Sequence, residues 1–257
     1  MDVQPRLLQA IAEHPYPLLF VTISGAHLYG FPSEDSDWDL RGVHLLPAIE
    51  FLALRAPRDE TVEASHKDAS LELDLVTHDA RKFFSMMLKR NGYVLEQLLS
   101  PLILKTSTEH EELKSLAAGC VTRWHAHHYL GFAENQWSLF LKEDPPRAKP
   151  LLYVFRVLLT GIHLMRTGRI EANLIHLNDD HKLPYIADLI SRKTGGGEKG
   201  RLRDVELSFF QSEYERLLRV LGDEASASQL PAEATAEPAL NDLLLRLRAR
   251  SEEYISR

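Results

Sequence analysis

The stretch SGAHLYGFPSEDSDWDLRG, from Ser24 to Gly42, leads from one predicted strand into the next and carries two closely spaced aspartates. The apolar, β-branched run LLFVTISG predicts a buried strand over Leu18–Gly25. A second strand is predicted over Asp39–Leu46. Because side chains alternate between the two faces of a strand, Asp37 and Asp39 are expected to point the same way.

Two neighbouring carboxylates repel each other unless a cation lies between them, and magnesium prefers hard oxygen ligands. Asp37 and Asp39 are therefore candidate metal ligands. A third strand, predicted from the strict alternation over Leu71–His78, is expected to run antiparallel beside the pair and to supply Asp74. Glu72, on the same face, is the alternative third carboxylate. Three carboxylates can hold two ions, one at an attacking hydroxyl and one at a triphosphate.

The end of the first predicted strand is a candidate phosphate site. It finishes in Ser24 and Gly25, and Gly30 follows before Pro32. Glycine at a strand end lets backbone N–H groups approach phosphate oxygens closely. A triphosphate bound at this turn would lie beside the aspartate pair.

The periodicity divides the chain into two predicted domains, with strands and helices in residues 1–105 and helices throughout residues 106–257. Asp79 is the predicted N-cap of the first helix after the strands. The stretch at 55–70 is predicted to be a polar loop, Glu224–Pro238 a mobile linker, and Gly195–Gly200 a loop between helices. Long helices are predicted at about 110–142, 148–168, 182–192, 200–222 and 238–256.

One predicted helix, over 149–169, is apolar almost all round and is therefore expected to be buried. A single polar stripe nevertheless runs along it at spacings of four and three residues, formed by Lys149, Tyr153, Arg156, Thr160 and His163. In one interpretation the stripe lines a nucleotide cleft, with basic side chains at phosphates and the tyrosine at base or sugar. In the other it pairs with acidic residues of neighbouring helices.

Composition narrows the class of protein. The chain has 257 residues, 44% of them hydrophobic, and a net charge of −7, which argues against a wide basic surface for nucleic acid. The single cysteine, Cys120, leaves no partner for an internal disulfide, so a cytoplasmic protein is expected. No stretch approaches the roughly 18 apolar residues of a membrane span, so no contact with a membrane is expected.

In the stretch Ser24–Gly42 the chain resembles the DNA polymerase beta superfamily of nucleotidyltransferases, in particular the YcgL-like, RNA-repair-associated RlaP group. The motif of that group runs like SGS-x-x-YG followed by SD-x-D-x-RG. The similarity continues through residues 74–101 and is weaker over 148–170. The chain matches the motif at Ser24, Gly25, Tyr29, Gly30, Ser36, Asp37, Asp39, Arg41 and Gly42.

The resemblance implies an α+β fold, with a small mixed sheet flanked by helices and a helical domain that closes the nucleotide cleft. It implies catalytic, metal-binding roles for Asp37, Asp39 and Asp74 with two Mg²⁺ or Mn²⁺ ions. The group usually has a serine where this chain has Ala26. Nucleotide-binding roles are implied for Ser24, Gly25, Ser36, Arg41, Lys149, Tyr153 and Arg156.

The predicted activity is the transfer of a nucleoside monophosphate from a nucleoside triphosphate, such as ATP, to a hydroxyl acceptor, with release of pyrophosphate. An RNA end is the acceptor that the resemblance implies. Ala26 motivates an alternative, a nucleotide-binding or regulatory module that does not catalyse. A metal-dependent phosphohydrolase is a second alternative, although only His27 and His44 lie near the acidic pair in sequence.

Overall fold

A computed structural model describes residues 5–52, 54–55, 59–67, 71–144, 146–195 and 204–255. Within these ranges the protein is a mixed α+β structure, as predicted. Gly195 is the only described residue of the predicted loop Gly195–Gly200, so that prediction lies outside the described residues.

The strands of the described chain form one sheet, in the order β3-β4-β2-β1-β5. Only the β2–β4 pair is parallel, and the other neighbours are antiparallel. The three strands predicted from sequence, now β1, β2 and β4, are confirmed. The strands are β1 (Leu18–Ile23), β2 (Trp38–His44), β3 (Thr61–Lys67), β4 (Glu72–Asp79) and β5 (Ile103–Lys105).

Two expectations about the sheet are wrong. The third predicted strand, β4, runs parallel to β2 rather than antiparallel, because β3 returns the chain along the sheet edge before β4 begins. This same β3 occupies Thr61–Lys67, inside the stretch predicted to be a loop. An edge strand with mostly exposed side chains needs no apolar alternation, so its sequence TVEASHK gives no strand signal.

The helices account for most of the rest of the described chain. They are α1 (Pro5–Ala12), α2 (Gly25–Tyr29), α3 (Ile49–Leu52), α4 (Ala80–Leu88), α5 (Gly92–Leu98), α6 (Thr108–Leu116), α7 (His125–Phe140), α8 (Ala148–Thr167), α9 (Leu174–His181), α10 (Pro184–Thr194), α11 (Asp204–Ala227) and α12 (Glu237–Ile255). Asp79 caps α4 as predicted, since its side chain accepts a hydrogen bond from the Arg81 backbone N–H.

The helix predicted over 110–142 is divided in the structure. A short 3₁₀ helix, Ala117–Cys120, separates α6 from α7. The Gly119 carbonyl accepts hydrogen bonds from the backbone N–H groups of Thr235 and Ala236 instead of continuing a helical ladder. Residues 224–227, predicted to begin a linker, instead extend α11.

The chain forms two compact units that are interleaved in sequence. The sheet unit contains the residues up to Gly25, Asp37–Cys120, and the residues from Ala234 onward. The helical unit contains Ala26–Ser36 and Val121–Glu233. The predicted functional division after residue 105 stays a prediction.

Each unit has its own apolar core. In the sheet unit, α1 packs on one face of the sheet through Leu7 and Ile11, which contact buried leucines of β2 and β4. In the helical unit, α8 is buried along most of its length. Among the described helices, α8 has the length and composition of a membrane span, contrary to expectation, but 78% of the qualifying stretch is buried inside the protein. Such burial is typical of a core helix.

Candidate functional site

The parallel pairing of β2 and β4 places Asp39 and Asp74 directly opposite each other. Their carboxylates also point to the same place, because the Arg41 Nη2 group donates to Asp39 Oδ1 at 2.8 Å and to Asp74 Oδ2 at 2.9 Å. Asp74, the third carboxylate predicted from sequence, therefore lies beside the Asp-x-Asp segment.

Arg41 is held in one orientation by the sheet unit. Its Nη1 group donates to the Leu40 and Asp74 carbonyls, and its Nε group donates to the Tyr93 hydroxyl. Together with the two carboxylates, these acceptors match the five N–H donors of a guanidinium. Burial lowers the pKa of Arg41, but Tyr93, Asp39 and Asp74 outweigh it and hold that pKa above its usual value. The predicted nucleotide ligand Arg41 thus bonds to the carboxylate pair.

Asp39 and Asp74 both bond to the Arg41 guanidinium. Carboxylate oxygens are also the ligands that magnesium and manganese prefer, so these two side chains could contribute to a divalent-cation site. Asp37 immediately precedes β2, whereas Glu72 forms an ion pair with Lys67 at 2.6 Å. As placed, the described residues contain no group of three or more acidic, histidine or cysteine side chains that could hold an ion.

The turn after β1 packs directly against this pair. Gly25 has φ +60°, and a Cβ atom at this position would lie 1.9 Å from Asp39 Oδ2. The Ser24 backbone N–H donates to the Asp39 carbonyl at 2.7 Å. Only glycine fits such a conformation beside a carboxylate without strain. The predicted phosphate turn and a predicted metal ligand are therefore immediate neighbours.

The Ser24 hydroxyl is an uncommitted hydrogen-bonding group at this turn. Its Oγ atom is fully buried and has no hydrogen-bond partner among the residues that the structure describes. Buried polar groups are nearly always hydrogen-bonded. A phosphate oxygen or water bound at the turn would satisfy it.

Two members of the polar stripe of α8, Tyr153 and Arg156, contact the segment Ala26–Ser36 within the helical unit, whereas His163 lies 4.0 Å from the Asp180 carboxylate of α9. The Arg156 guanidinium is buried and lies 4.0 Å from the centre of the Tyr29 ring. Tyr153 packs edge-on against both Tyr29 and Phe31, with ring centres 5.7 and 5.5 Å apart. Two of the predicted nucleotide ligands, Tyr153 and Arg156, therefore pack against aromatic side chains of this segment.

Two lysines act on the end of the same segment. The Lys193 ammonium, at the end of α10, donates to the Phe31 carbonyl and to the Ser33 and Ser36 hydroxyls at 2.8, 2.9 and 3.0 Å. A hydrogen bond from Ser33 lowers the pKa of Asp35, and the positive charges of Lys193 and Lys149 lower it further. The predicted residues Ser36 and Lys149 thus belong to one cluster of the helical unit.

Sequence reasoning missed Lys193 and Tyr93. Lys193 lies 157 residues after its partner Ser36, and Tyr93 lies 52 residues after Arg41. Lys193 belongs to no motif or helical stripe, and Tyr93 lies within the family-like stretch 74–101 but outside the motif residues quoted for the family. No periodic signal could have joined contacts across such separations.

The sequence is similar to that of known proteins. A family model described as RlaP, the RNA repair pathway DNA polymerase beta family, matches residues 1–246. The uncharacterized protein MJ0002 of Methanocaldococcus jannaschii is 34% identical over 155 residues, which cover 60% of this chain and 63% of that relative. The uncharacterized protein YcgL of Bacillus subtilis is 27% identical over 242 residues, covering 89% of this chain and 88% of YcgL.

Among solved structures, a nucleotidyltransferase-like protein from Exiguobacterium sibiricum matches with a TM-score of 0.33 and 10% identity. The match covers 86% of this chain and 73% of that one. At this TM-score the similarity establishes nothing further about the fold. The family match, in contrast, takes in both compact units and every residue of the carboxylate site. This chain therefore belongs to the RlaP family, the RNA repair pathway DNA polymerase beta family.

Proposed function

We propose that this protein is a nucleotidyltransferase that moves a nucleoside monophosphate from a nucleoside triphosphate to a hydroxyl acceptor and releases pyrophosphate. The observation that carries the proposal is the juxtaposition of Asp39 and Asp74 on parallel strands, with the Gly25 turn packed against Asp39. Membership of a DNA polymerase beta family supports this chemistry.

Asp37, Asp39 and Asp74 are the proposed ligands for two magnesium or manganese ions. When bound, such ions supply positive charge to the triphosphate and lower the pKa of the attacking hydroxyl. The convergence of Asp39 and Asp74 on the Arg41 guanidinium shows that the two carboxylates lie close together, which supports their assignment. Asp37 is assigned from its position directly before β2.

In the proposed reaction, the acceptor oxygen forms a bond to the α-phosphorus as the bond from that phosphorus to the pyrophosphate oxygen breaks. The electron pair of the broken bond leaves with pyrophosphate, and Asp74 takes the proton of the hydroxyl. Arg41 keeps the two carboxylates oriented through its fixed hydrogen bonds. The Gly25 backbone and the Ser24 hydroxyl are the proposed phosphate contacts.

The remaining nucleotide assignments lie in the helical unit. Lys149, at the start of α8, is proposed to face phosphates. Tyr153 and Arg156 are proposed to assist nucleotide binding by packing against Phe31 and Tyr29, because the Arg156 guanidinium is buried against the Tyr29 ring. Ser36, at the end of the segment Ala26–Ser36, is also proposed to contact phosphate.

An RNA end is the proposed acceptor, and the cytoplasm the proposed location. The family description names an RNA repair pathway, which supports RNA as the partner. The net charge of −7 indicates that RNA would be bound through a local site rather than over a wide basic surface.

The test is to incubate the protein with Mg²⁺ or Mn²⁺, α-labelled nucleoside triphosphates, and separate pools of RNA, protein and small-molecule acceptors. We expect label in the RNA pool together with pyrophosphate. Replacing Asp39 or Asp74 by Asn should reduce transfer at least about 100-fold, because a lost ligand weakens charge stabilisation in the transition state. The Glu72→Gln variant should retain transfer, since Glu72 pairs with Lys67.

The other outcomes distinguish the alternatives. Release of inorganic phosphate alone would identify a phosphohydrolase, and nucleotide binding without turnover a regulatory module. Mn²⁺ binding can be measured from the electron paramagnetic resonance signal of the free ion. This readout does not depend on activity. Full Mn²⁺ binding by a folded Asp39→Asn, Asp74→Asn double variant would contradict the assigned site.

A further inference from the structure

Lys193 fixes a short turn of the helical unit through three hydrogen bonds to oxygen atoms. Its ammonium donates to the Phe31 carbonyl and to the hydroxyls of Ser33 and Ser36, all within 3.0 Å, and lies 5.8 Å from the centre of the Phe31 ring. Hydrogen bonds from a charged donor are shorter and stronger than those between neutral groups. The end of α10 thereby holds three residues of the turn at once.

The turn itself is closed by hydrogen bonds between Ser33 and Ser36. The Ser36 backbone N–H donates to the Ser33 carbonyl at 3.0 Å, and the Ser33 backbone N–H donates to Ser36 Oγ at 2.9 Å. The two hydroxyls are 3.1 Å apart. Because both hydroxyls also accept from Lys193, its removal would leave the turn with a less defined geometry.

This turn is joined directly to the proposed site. Ser36 precedes Asp37 by one peptide bond, and Asp39 follows two residues later at the start of β2. The position of Ser36 therefore restricts where the Asp37 carboxylate can lie, since consecutive Cα atoms have a fixed separation. Errors of about 1 Å in such a group can cost about 100-fold in rate.

We infer that Lys193 is a positioning residue that sets the Ser33–Ser36 turn and, through it, the entry of Asp37 into the catalytic site. The inference rests on the proposed transferase activity. Lys193 acts on the turn and does not itself bind the triphosphate. Its replacement should therefore lower kcat, with only a smaller rise in the KM for nucleotide through the proposed phosphate contact of Ser36.

The experiment compares Lys193→Met, which removes the charge at similar length, with Lys193→Arg, which keeps a cationic donor. Lys142→Met, an exposed lysine just after α7, is the matched control. We expect Lys193→Met to lower kcat about 10- to 100-fold with KM changed less than about 3-fold, and Lys193→Arg to recover much of the loss. Lys142→Met should behave as wild type.

A double-mutant cycle with Ser33→Ala separates positioning from a general loss of stability. The effects of Lys193→Met and Ser33→Ala on kcat should be less than additive, because both remove the same hydrogen bond. Additive effects, an increase in KM that accounts for the loss, or a Lys193→Met variant as active as wild type would each overturn the inference.

Hydrogen exchange tests the turn without any turnover. In Lys193→Met, the backbone amides of Ser33 and Ser36 should exchange faster than in wild type, while those of β2 and β4 should not change. Unchanged exchange at the turn would refute the inference even if transfer occurs. If the wild type shows no transfer but the turn exchanges faster in Lys193→Met, the proposed function alone is refuted.

Discussion

Arg41 illustrates how a single side chain orders an acidic site. It lies two residues after Asp39 on β2, and its guanidinium reaches both Asp39 and Asp74. Two carboxylates at this separation would otherwise repel each other. Because the remaining donors of Arg41 bond to backbone carbonyls and to Tyr93, the guanidinium keeps its place. It thereby orients one oxygen of each aspartate.

Gly25 gives the sharpest prediction at the residue scale. A Gly25→Ala substitution would put a methyl group into the Asp39 carboxylate and force alanine to adopt φ +60°. We expect a loss of about 1–3 kcal/mol in the free energy of unfolding, measured with urea, because of the strained backbone. Mn²⁺ binding should fall at the same time, since Asp39 must move.

Gly222→Ala is the matched control for this substitution. Gly222 lies within α11, and a Cβ atom there would meet no atom within 4 Å. Alanine has the higher helix propensity, so this variant should gain up to about 1 kcal/mol and bind Mn²⁺ normally. A Gly25→Ala protein with wild-type stability and wild-type metal affinity would show that the turn is not constrained by Asp39.

At the scale of elements, an ion pair with a buried carboxylate bonds α12 to the start of α4 within the sheet unit. The Asp79 carboxylate is fully buried and accepts hydrogen bonds from Arg248, from the Arg81 backbone and from the Leu46 backbone. Arg248 also donates to the Leu46 carbonyl and lies 4.3 Å from the centre of the Phe51 ring. The last helix is thus tied to the N-cap of α4.

Replacing Arg248 by Met should destabilise the protein by about 3 kcal/mol, because it leaves a buried carboxylate without its cation. The ion pair between Arg250 and Glu109 on α12 and α6 is more exposed and serves as the comparison. Arg250→Met should cost less than about 1 kcal/mol. Equal urea midpoints for the two variants would show that the Asp79 pair contributes no more than a surface pair.

Elements with a periodic pattern could be predicted from the sequence, and those that depend on distant partners could not. Alternation identified β1, β2 and β4, and hence the face that carries Asp39 and Asp74. Strand direction was predicted wrongly because the edge strand β3 has no apolar alternation. Lys193 and Arg248 act across more than 150 residues of chain, so neither had a local signal.

At the scale of the whole molecule, one buried and two half-buried histidines make the stability depend on pH. Burial lowers the pKa of His44 and of His78 to about 4, and it also lowers that of His14. The Thr77 hydroxyl is hydrogen-bonded to both His14 and His44. In the unfolded chain these rings take up protons near pH 6.5, whereas the folded protein keeps them neutral.

The unfolded state therefore binds more protons between pH 6.5 and 4, and the stability falls as the pH falls through that window. For His44 alone the slope is at most about 1.4 kcal/mol per pH unit. Urea unfolding at pH 7, 6 and 5 should show falling midpoints, and His44→Gln should reduce the slope. A midpoint that does not change between pH 7 and 5 would contradict this prediction.

The interleaved path of the chain has a consequence for how such a protein can be recombined. The backbone passes between the two units four times, after Gly25, Ser36, Cys120 and Glu233. A chimaera that imported a foreign 121–233 would retain the host's Tyr29, Phe31 and Ser36 but lose Arg156, Tyr153 and Lys193, on which they rest. The exchangeable module is therefore discontinuous, and its eleven-residue part must be inherited together with the larger one.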